Sequence, residues 1–401
     1  MTRILSIATA GVLSFMGISL ATPYQYLITD LGTLSGPVSQ GMNLDAIGRV
    51  AGLSMLADSN FRAVLWNGAP VNLGVIGTDT QSTALGMNAG GQVVGISYNY
   101  GDIQVHAFLW QSGAMSYLGD FSPRAINAAG GIVGHRTLYN AANLLMDQAV
   151  RWNSGTITDL GTLGGDASDA FSINNGGLAV GQSFLADDLT IRACAWMNGT
   201  PHDMGTLAGT ATAKSSANCV NDSGLAAGWS DTAAGLPHAC LFQLDPNGQV
   251  IARTDLGVLS GNYSYAYSVN SSGATVGCSN SRGFIWQAGA LSDLNGLIPP
   301  ASGWYIYRAI AINDSGQILA DGIRFGFTHA LLLSPVTCIK GDVNGDAAVD
   351  GLDVQGFISA LTAGGTPRQI CAADLAAPQD GVVTTADIAD FVQCLLSGTC
   401  G

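Results

Sequence analysis

Between residues 24 and 335 the apolar residues fall in short runs, and each run stops at Gly, Asn, Asp or Ser. Short apolar runs closed by turn-forming residues predict β-strands rather than helices. The runs recur in a fixed order. One element opens with a small residue, an apolar residue and Asn, usually with Gly three positions later. It reads "GMN" at Asn43, "GMNAGGQVVG" at Asn88, "AINAAGGIVG" at Asn127 and "SINNGGLAVG" at Asn174. It returns as "CVNDSGLAAG" at Asn221, "SVNSSGATVG" at Asn270 and "AINDSGQILA" at Asn313. Two strands joined through Asn and Gly, which accept positive φ most readily, make a hairpin. The first copy departs, with Ala46 where the Gly would stand and a turn two residues longer.

A second element is an apolar strand that usually ends in Trp: "RAVLW", "HAFLW", "QAVRW", "RACAW", "HACLF", "RGFIW" and "HALLL". Its ends at Trp66, Trp110, Trp152, Trp196, Phe242, Trp286 and Leu333 are spaced by 44, 42, 44, 46, 44 and 47 residues. A third element, "DLG" or a variant, begins at Asp30, Asn72, Tyr117, Asp159, Asp203, Asp255 and Asp293. A unit of about 44 residues with four short strands has the size of a propeller blade. The first "DLG" precedes the first hairpin, and the last unit stops at "HALLL" without its own. A closed ring uses that offset, because the N-terminal strand can complete the last blade and remove both sheet edges. The expected fold is therefore mainly β: residues 24–335 form a seven-bladed β-propeller closed by the N-terminal strand. An open β-solenoid is the alternative, and it needs no offset.

Composition supports strands and narrows the partners. Hydrophobic residues make up 47% of the 401 and charged residues 10%, with 54 Gly. The net charge of −14 argues against nucleic acid or an anionic membrane as partner. All 28 acidic residues are Asp, a turn and ligand residue, and the absence of Glu disfavours a helical protein.

The first residues read as a secretory leader. Arg3 supplies the positive charge, 4–20 is apolar and rich in small residues, and Ser19-Leu20-Ala21 offers a cleavage site. Residues 1–21 are thus expected to be removed, leaving an extracellular protein with no membrane span, its propeller a monomer. Export makes the eight cysteines disulfide candidates. Cys338, Cys371, Cys394 and Cys400 crowd the tail densely enough to staple a small domain, in one of three pairings. Cys194, Cys219, Cys240 and Cys278 are sparser and could equally be buried free thiols.

The body offers no catalytic constellation in sequence. His106, His238 and His329 share one repeat position, before the Ala of the second element, with Arg62, Gln148, Arg192 and Arg282 in the other units. A ring of interchangeable donors suits carbonyls between strands or blades better than catalysis. His135 and His202 fall outside it, with no Ser or Cys in a nucleophile-like motif nearby. Asp30, Asp159, Asp203, Asp255 and Asp293 read as turn caps, while Asp166, Asp169, Asp187 and Asp188 lie in stretches that read as solvated loops. Through "AIN..G..VG", "HAFLW" and "TDLGTLGG" the body resembles the HAF family of extracellular repeats, which implies secretion and a repeat architecture and carries no established reaction.

The tail contains "GDVNGDAAVDGLDV". With Asp342 as position 1 of a calcium loop, Asn344, Asp346, Asp350 and Asp353 fall at 3, 5, 9 and 12, and Ala348 offers its carbonyl at 7. This is the oxygen-ligand spacing of an EF-hand-type loop. Ala347 stands where the loop usually has Gly, and position 12 is Asp instead of Glu. Val354, Phe357, Ile358 and Leu361 then repeat at helical spacing as one apolar stripe. A weaker second copy places Asp380, Gly381, Thr384 and Asp387 at 5, 6, 9 and 12, followed by Ile388, Phe391, Val392 and Leu395, with Asp374 two residues too early for position 1. Two tandem loop–helix copies with Asp at 12 resemble a type I dockerin over 340–397. That resemblance implies folding on calcium and docking to a cohesin-like protein, with Gly351, Leu352, Thr385 and Ala386 at the recognition positions. These four differ from the commonest Ser-Thr type. The expectation is a small α-helical dockerin/EF-hand-like calcium domain over 336–401. It is attached to a non-enzymatic propeller that presents a binding surface to a polysaccharide or cell-surface ligand. The competing expectation is a carbohydrate-active, polysaccharide-degrading propeller enzyme delivered by its dockerin.

Overall fold

A computed structural model describes residues 25–102, 104–139, 142–336, 338–346, 348–376, 382–397 and 400. The leader-like segment 1–21 lies outside the described residues, as do Ala347, Asp380 and Gly381. The chain divides into two compact units, one spanning Tyr24–Val336 and the other containing Thr337–Gly401.

The larger unit is a seven-bladed propeller: seven antiparallel sheets of four strands each. Blades 1 to 6 occupy 39–74, 81–119, 122–159, 164–203, 215–257 and 264–293, each a run of four consecutive strands. Blade 7 has three consecutive strands (Tyr305–Ile312, Ile318–Arg324, Phe327–Pro335), and its fourth is Tyr26–Asp30 from the start of the body. The pairing is antiparallel, from Tyr26↔Pro335 to Asp30↔Leu331. The inner strand of blade 7 also neighbours that of blade 1. The ring is closed, and the open solenoid is set aside.

Each seam between blades holds its own apolar cluster. At the closing seam Val50, Val64 and Trp66 of blade 1 meet Leu319 and Ala330 of blade 7, all essentially inaccessible. Burying side chains of this size contributes ~1.5–3 kcal/mol each for the larger ones. The Ala of the second element (Ala63, Ala107, Ala149, Ala193, Ala239, Ala330) is wholly buried at six seams. The reason is a serine staple. The Ala193 N–H donates to Ser215 Oγ of the next blade (2.9 Å), and that hydroxyl donates to the Gly205 carbonyl of the "DMG" turn (2.7 Å). Ser82, Ser168 and Ser264 do the same at their seams. A side chain larger than Ala would hold the strands apart. The "DLG" motif is an Asx turn: the Gly257 N–H donates to Asp255 Oδ1 (2.8 Å) with Gly257 at φ 73°.

The hairpin asparagines form a belt. Asn88 Nδ2 donates to the Asn127 carbonyl (3.1 Å), Asn127 to Asn174 (3.2 Å), Asn174 to Asn221 (3.1 Å), Asn221 to Asn270 (2.9 Å) and Asn270 to Asn313 (3.2 Å). Asn313 then donates to the carbonyl of Asp45 (3.0 Å), not to Asn43. This corrects the reading of the first repeat. Counted from the inner-strand bulge, Leu44, not Met42, is the equivalent of Met87 (Leu44↔Val50, Met87↔Val93), so Asp45 is the anchor. The Gly48 N–H donates to the Asp45 carbonyl as Gly91 does to Asn88, and the turn has the ordinary length. Asp45 has no amide to pass on. Arg49 supplies the missing donor, bonding Asp45 Oδ2 through Nε (2.6 Å) and the Ala89 carbonyl of blade 2 through Nη2 (3.0 Å).

The smaller unit has helices α1 (Asp353–Ala363), α2 (Pro367–Ala373) and α3 (Asp387–Ser397). Phe357 and Phe391, four residues into α1 and α3, stack with centroids 4.0 Å apart inside a cluster with Val343, Ala360, Ala372 and Val383. Of the three pairings open in sequence, the disulfides are Cys338–Cys371 and Cys394–Cys400, and the four body cysteines are free thiols. The apolar stripe of α1 divides: Phe357 is buried and Leu361 partly so, while Val354 and Ile358 are exposed.

Candidate functional site

In the first tail loop the carboxylates cap backbone N–H groups. Asp353, wholly buried at the start of α1, accepts from the Asn344 N–H (2.9 Å) and the Asp350 N–H (2.9 Å), tying position 12 to positions 3 and 9. Asp342, also wholly buried, accepts from the Gly345 N–H (2.7 Å) and pairs with Arg368 (2.9 Å). Asn344 and Asp346 bond each other, and the Ala348 N–H donates to Asp346 Oδ1 (2.9 Å). Asp350 Oδ1 accepts from the Leu352 N–H.

The second loop repeats the scheme. Asp387 accepts from the Leu375 and Ala376 N–H groups (2.7 and 2.8 Å) and from the Thr384 N–H (2.7 Å). Burial would raise its pKa, but these hydrogen bonds outweigh that and hold it below the ordinary carboxylate value. Ala376 thus takes the place of Asn344, and Asp374, two residues earlier, stands where Asp342 does. The two extra residues lie inside the loop. Asp380 falls outside the described residues, so the second donor set rests on Thr384 and Asp387.

Hard oxygen donors on buried carboxylates fit calcium by chemistry. Among the described residues, however, no three Asp, His or Cys converge to grip an ion. Gly351, Leu352, Thr385 and Ala386 are all exposed, beside the starts of α1 and α3. Their apolar neighbours belong to the two helical stripes seen in the sequence, but half of each stripe faces outward. Val354 and Ile358 on α1 are matched by Ile388 and Val392 on α3, all exposed.

In the propeller the ring of donors finds two kinds of acceptor. Arg192 donates to the Thr210 and Ala211 carbonyls (2.9 and 2.7 Å), and Arg62 to those of Phe61 and Thr80, as expected. At the other blades the acceptor is a carboxylate. His238 meets Asp255 (2.9 Å), Arg282 meets Asp293 (2.8 Å), His329 meets Asp30 (2.9 Å) and His106 meets Asp79 (2.8 Å). In blade 3, where the position is Gln148, Arg136 reaches Asp159 instead (2.7 Å).

One position departs from every repeat. The residue after the paired Gly (Ala320 in blade 7) on the second strand is Leu53, Ile96, His135, Gln182, Trp229, Cys278 or Asp321. His135 Nδ1 lies 3.0 Å from Asp169 Oδ1, and its Nε2 is 3.9 Å from Asp147. Arg124 closes on Asp169 (3.2 Å). Asp169 is therefore no solvated loop carboxylate: it is buried on the strand Gly164–Ile173. The repeat comparison at His135 was the signal that could have found it. A cavity of about 270 Å³ lined by Asp147, Asp169 and Gln182 lies alongside. Asp321 is wholly buried beside Arg308 (2.7 Å), and that burial pushes its carboxyl up. Trp229 sits edge-on to Tyr265 with centroids 5.8 Å apart, half-buried.

The sequence matches no protein-family model and no curated protein. Solved structures resemble the chain at low identity. TolB from Acinetobacter baumannii gives a TM-score of 0.41 at 10% identity, over 73% of this chain and 65% of that one. A puromycin-hydrolyzing peptidase of Mycobacterium tuberculosis gives 0.45 at 12%, over 75% and 50%. The SapL1 lectin, solved with alpha methyl fucoside, gives 0.36 at 13%, over 67% and 98%. The chain spans less than two thirds of the first two. Likeness at this level speaks to neither activity nor ligand.

Proposed function

We propose that this chain is a secreted, non-enzymatic scaffold: the propeller presents a binding surface, and the tail docks in a calcium-dependent way to a cohesin-type partner. The observation that carries the reading is the duplicated tail. Asp353 and Asp387 close equivalent loops, Phe357 and Phe391 stack, and exposed apolar pairs recur at the same places on α1 and α3. Calcium, when bound, would supply a local positive charge that draws Asp342, Asn344, Asp346, Asp350, Asp353 and the Ala348 carbonyl together. Asp353 holds positions 3 and 9 to the start of α1, so the loop also sets where Gly351 and Leu352 stand. HAF-like repeats and an apolar leader support export.

The test is binding of the full chain to purified cohesin domains from the same source, with calcium and with a chelator. Binding with calcium alone, lost in Asp353→Ala, supports the reading. Absence of binding in a chain that takes up calcium makes the tail a structural appendage.

A second reading, a carbohydrate-active enzyme, is favoured by one observation, the cavity beside His135 with Asp147 and Asp169. Hydrolysis of a polysaccharide panel that disappears in Asp169→Asn would establish it.

A further inference from the structure

We infer that the seam between blades 3 and 4 is a binding site for a carboxylate-bearing sugar of the uronic acid class, with Arg151 as its anchor. The inference rests on the reading of the propeller as a binding surface, and names the ligand.

Three observations meet there. The first is the repeat itself. In "QAVRW" Arg151 occupies the position held by Leu65, Leu109, Ala195, Leu241, Ile285 and Leu332 in the other six blades. Six copies show that an apolar side chain satisfies the packing at this register. A charge there carries a desolvation cost that packing does not explain.

The second is that the guanidinium has no partner. In a chain with 28 Asp, Arg151 makes no hydrogen bond or ion pair among the described residues, although it is half-buried. Its neighbours in the sheets are otherwise engaged: Arg136 with Asp159, Arg124 with Asp169, Arg192 with Asp203 and two carbonyls. The Arg151 tip lies over two glycines of the hairpin turns. A Cβ on Gly131 would stand 3.4 Å from Nη2, and one on Gly177 would stand 3.5 Å from Nη1. Small residues therefore leave room around the fork.

The third is the cleft that Arg151 lines. It has a volume of about 420 Å³, within the range of small-molecule sites. Asn153 and Asn198 bring amides to its walls, Thr156 and Thr158 bring hydroxyls, and Trp196 lies against it. Asp159 is the single carboxylate at the rim, and Arg136 holds it at 2.7 Å. An unpaired planar guanidinium recognises a carboxylate through two parallel hydrogen bonds. Amides and hydroxyls around it both donate and accept, which matches ring hydroxyls. A neutral sugar would leave the guanidinium unanswered, and a bare anion would leave the amides and hydroxyls unused.

The test is NMR or calorimetric titration of the full chain with D-glucuronate, D-glucose and inorganic sulfate, compared with Arg151→Leu and Arg151→Lys. Arg151→Leu installs the residue of blades 1, 2, 5 and 7, so it keeps the fold, which an unchanged unfolding midpoint verifies. Saturable glucuronate binding, at least tenfold tighter than glucose and sulfate, is expected. It should weaken roughly tenfold or more in Arg151→Leu, in line with loss of a charge-assisted pair. Arg151→Lys, which keeps the charge without the fork, should fall between. Equal affinity for sulfate would reduce the seam to a general anion site and overturn the assignment, as would wild-type affinity in Arg151→Leu or no glucuronate binding. The assay involves no tail partner, so its failure leaves the docking reading standing.

Discussion

If Asp45 is the first anchor of the belt, its acidic chemistry should be transferable to another blade only together with its arginine. Asn88→Asp makes the transfer without the arginine. Asn88 is 6% exposed, donates to the Asn127 carbonyl (3.1 Å) and to Gln92 Oε1 (2.7 Å), and accepts from the Gln92 N–H (3.1 Å). The aspartate keeps the acceptor and loses both donated bonds; the Asn127 carbonyl still accepts from the Gly130 N–H, but the new carboxylate is buried without a cation and faces two acceptor oxygens. Two lost bonds at ~1 kcal/mol each plus a buried carboxylate left without a partner at ~1–3 kcal/mol give a cost of about 3–5 kcal/mol. Gln92 stands four residues after Asn88, as Arg49 does after Asp45. Adding Gln92→Arg rebuilds the blade 1 pair, whose side chains are 2% and 18% exposed. A coupling of ~1–3 kcal/mol between the two changes is expected. Urea unfolding of the full chain, followed by tryptophan fluorescence, measures all four corners of the cycle. Coupling below about 0.5 kcal/mol would refute the equivalence of Asp45 and the asparagines.

Other consequences are directly measurable. Burial pushes the thiols of Cys194, Cys219 and Cys278 up, and that of Cys240 to about 12, so iodoacetamide at neutral pH should label none of the four until the chain is unfolded, as mass spectrometry can count. Asp187, bonded by Thr190 Oγ1 and by the Leu189 and Thr190 N–H groups, is held at about 2. Because that folded value is depressed, its stabilising share is complete above about 4 and is lost as pH falls toward 2. A carboxyl NMR titration should find the low midpoint, and Thr190→Val should raise it. Deleting 25–32 removes the fourth strand of blade 7, the His329–Asp30 pair and buried Tyr26. The exposed edge should then make the chain self-associate in sedimentation, where the intact chain does not.

The sequence made the blade number and the closure legible because both are matters of phase. Strand ends recurring every 42 to 47 residues, six aromatic and the last Leu333, counted the blades, and the unmatched "DLG" at Asp30 located the joint. The first anchor was obscured because "GMN" recurs in letters at Asn43 and Asn88 two residues out of register, and register is set by a bulge that no letter marks. Asp169 was hidden for a related reason. "GGDASDA" reads as a loop from its Gly and Asp, yet the strand absorbs it through a break in pairing between Gly164 and Ser168. Arg151 was visible in "QAVRW" as a charge among apolar residues. That no described residue pairs with it is a property of three dimensions. In the tail, Asp353 and Asp387, which cap their loops at the helix starts, stood out by spacing, while the extra residues after Asp374 disguised the second loop's start.

The fourth strand of blade 7 also fixes an order of events. Asp30 and His329 are 299 residues apart, yet they touch. A ribosome adding ~5–20 residues per second needs roughly 15–60 s to make that span. Tyr26–Asp30 is thus among the first of the body to be synthesised and the last to find its partner. Throughout the interval it must stay out of wrong ladders, and Phe327–Pro335, once made, offers an unpaired edge until it arrives. Six blades can form as they are translated; the seventh cannot. Maturation of this ring is a single late event, and any delay in completing the chain extends the period in which two copies could close each other instead of themselves.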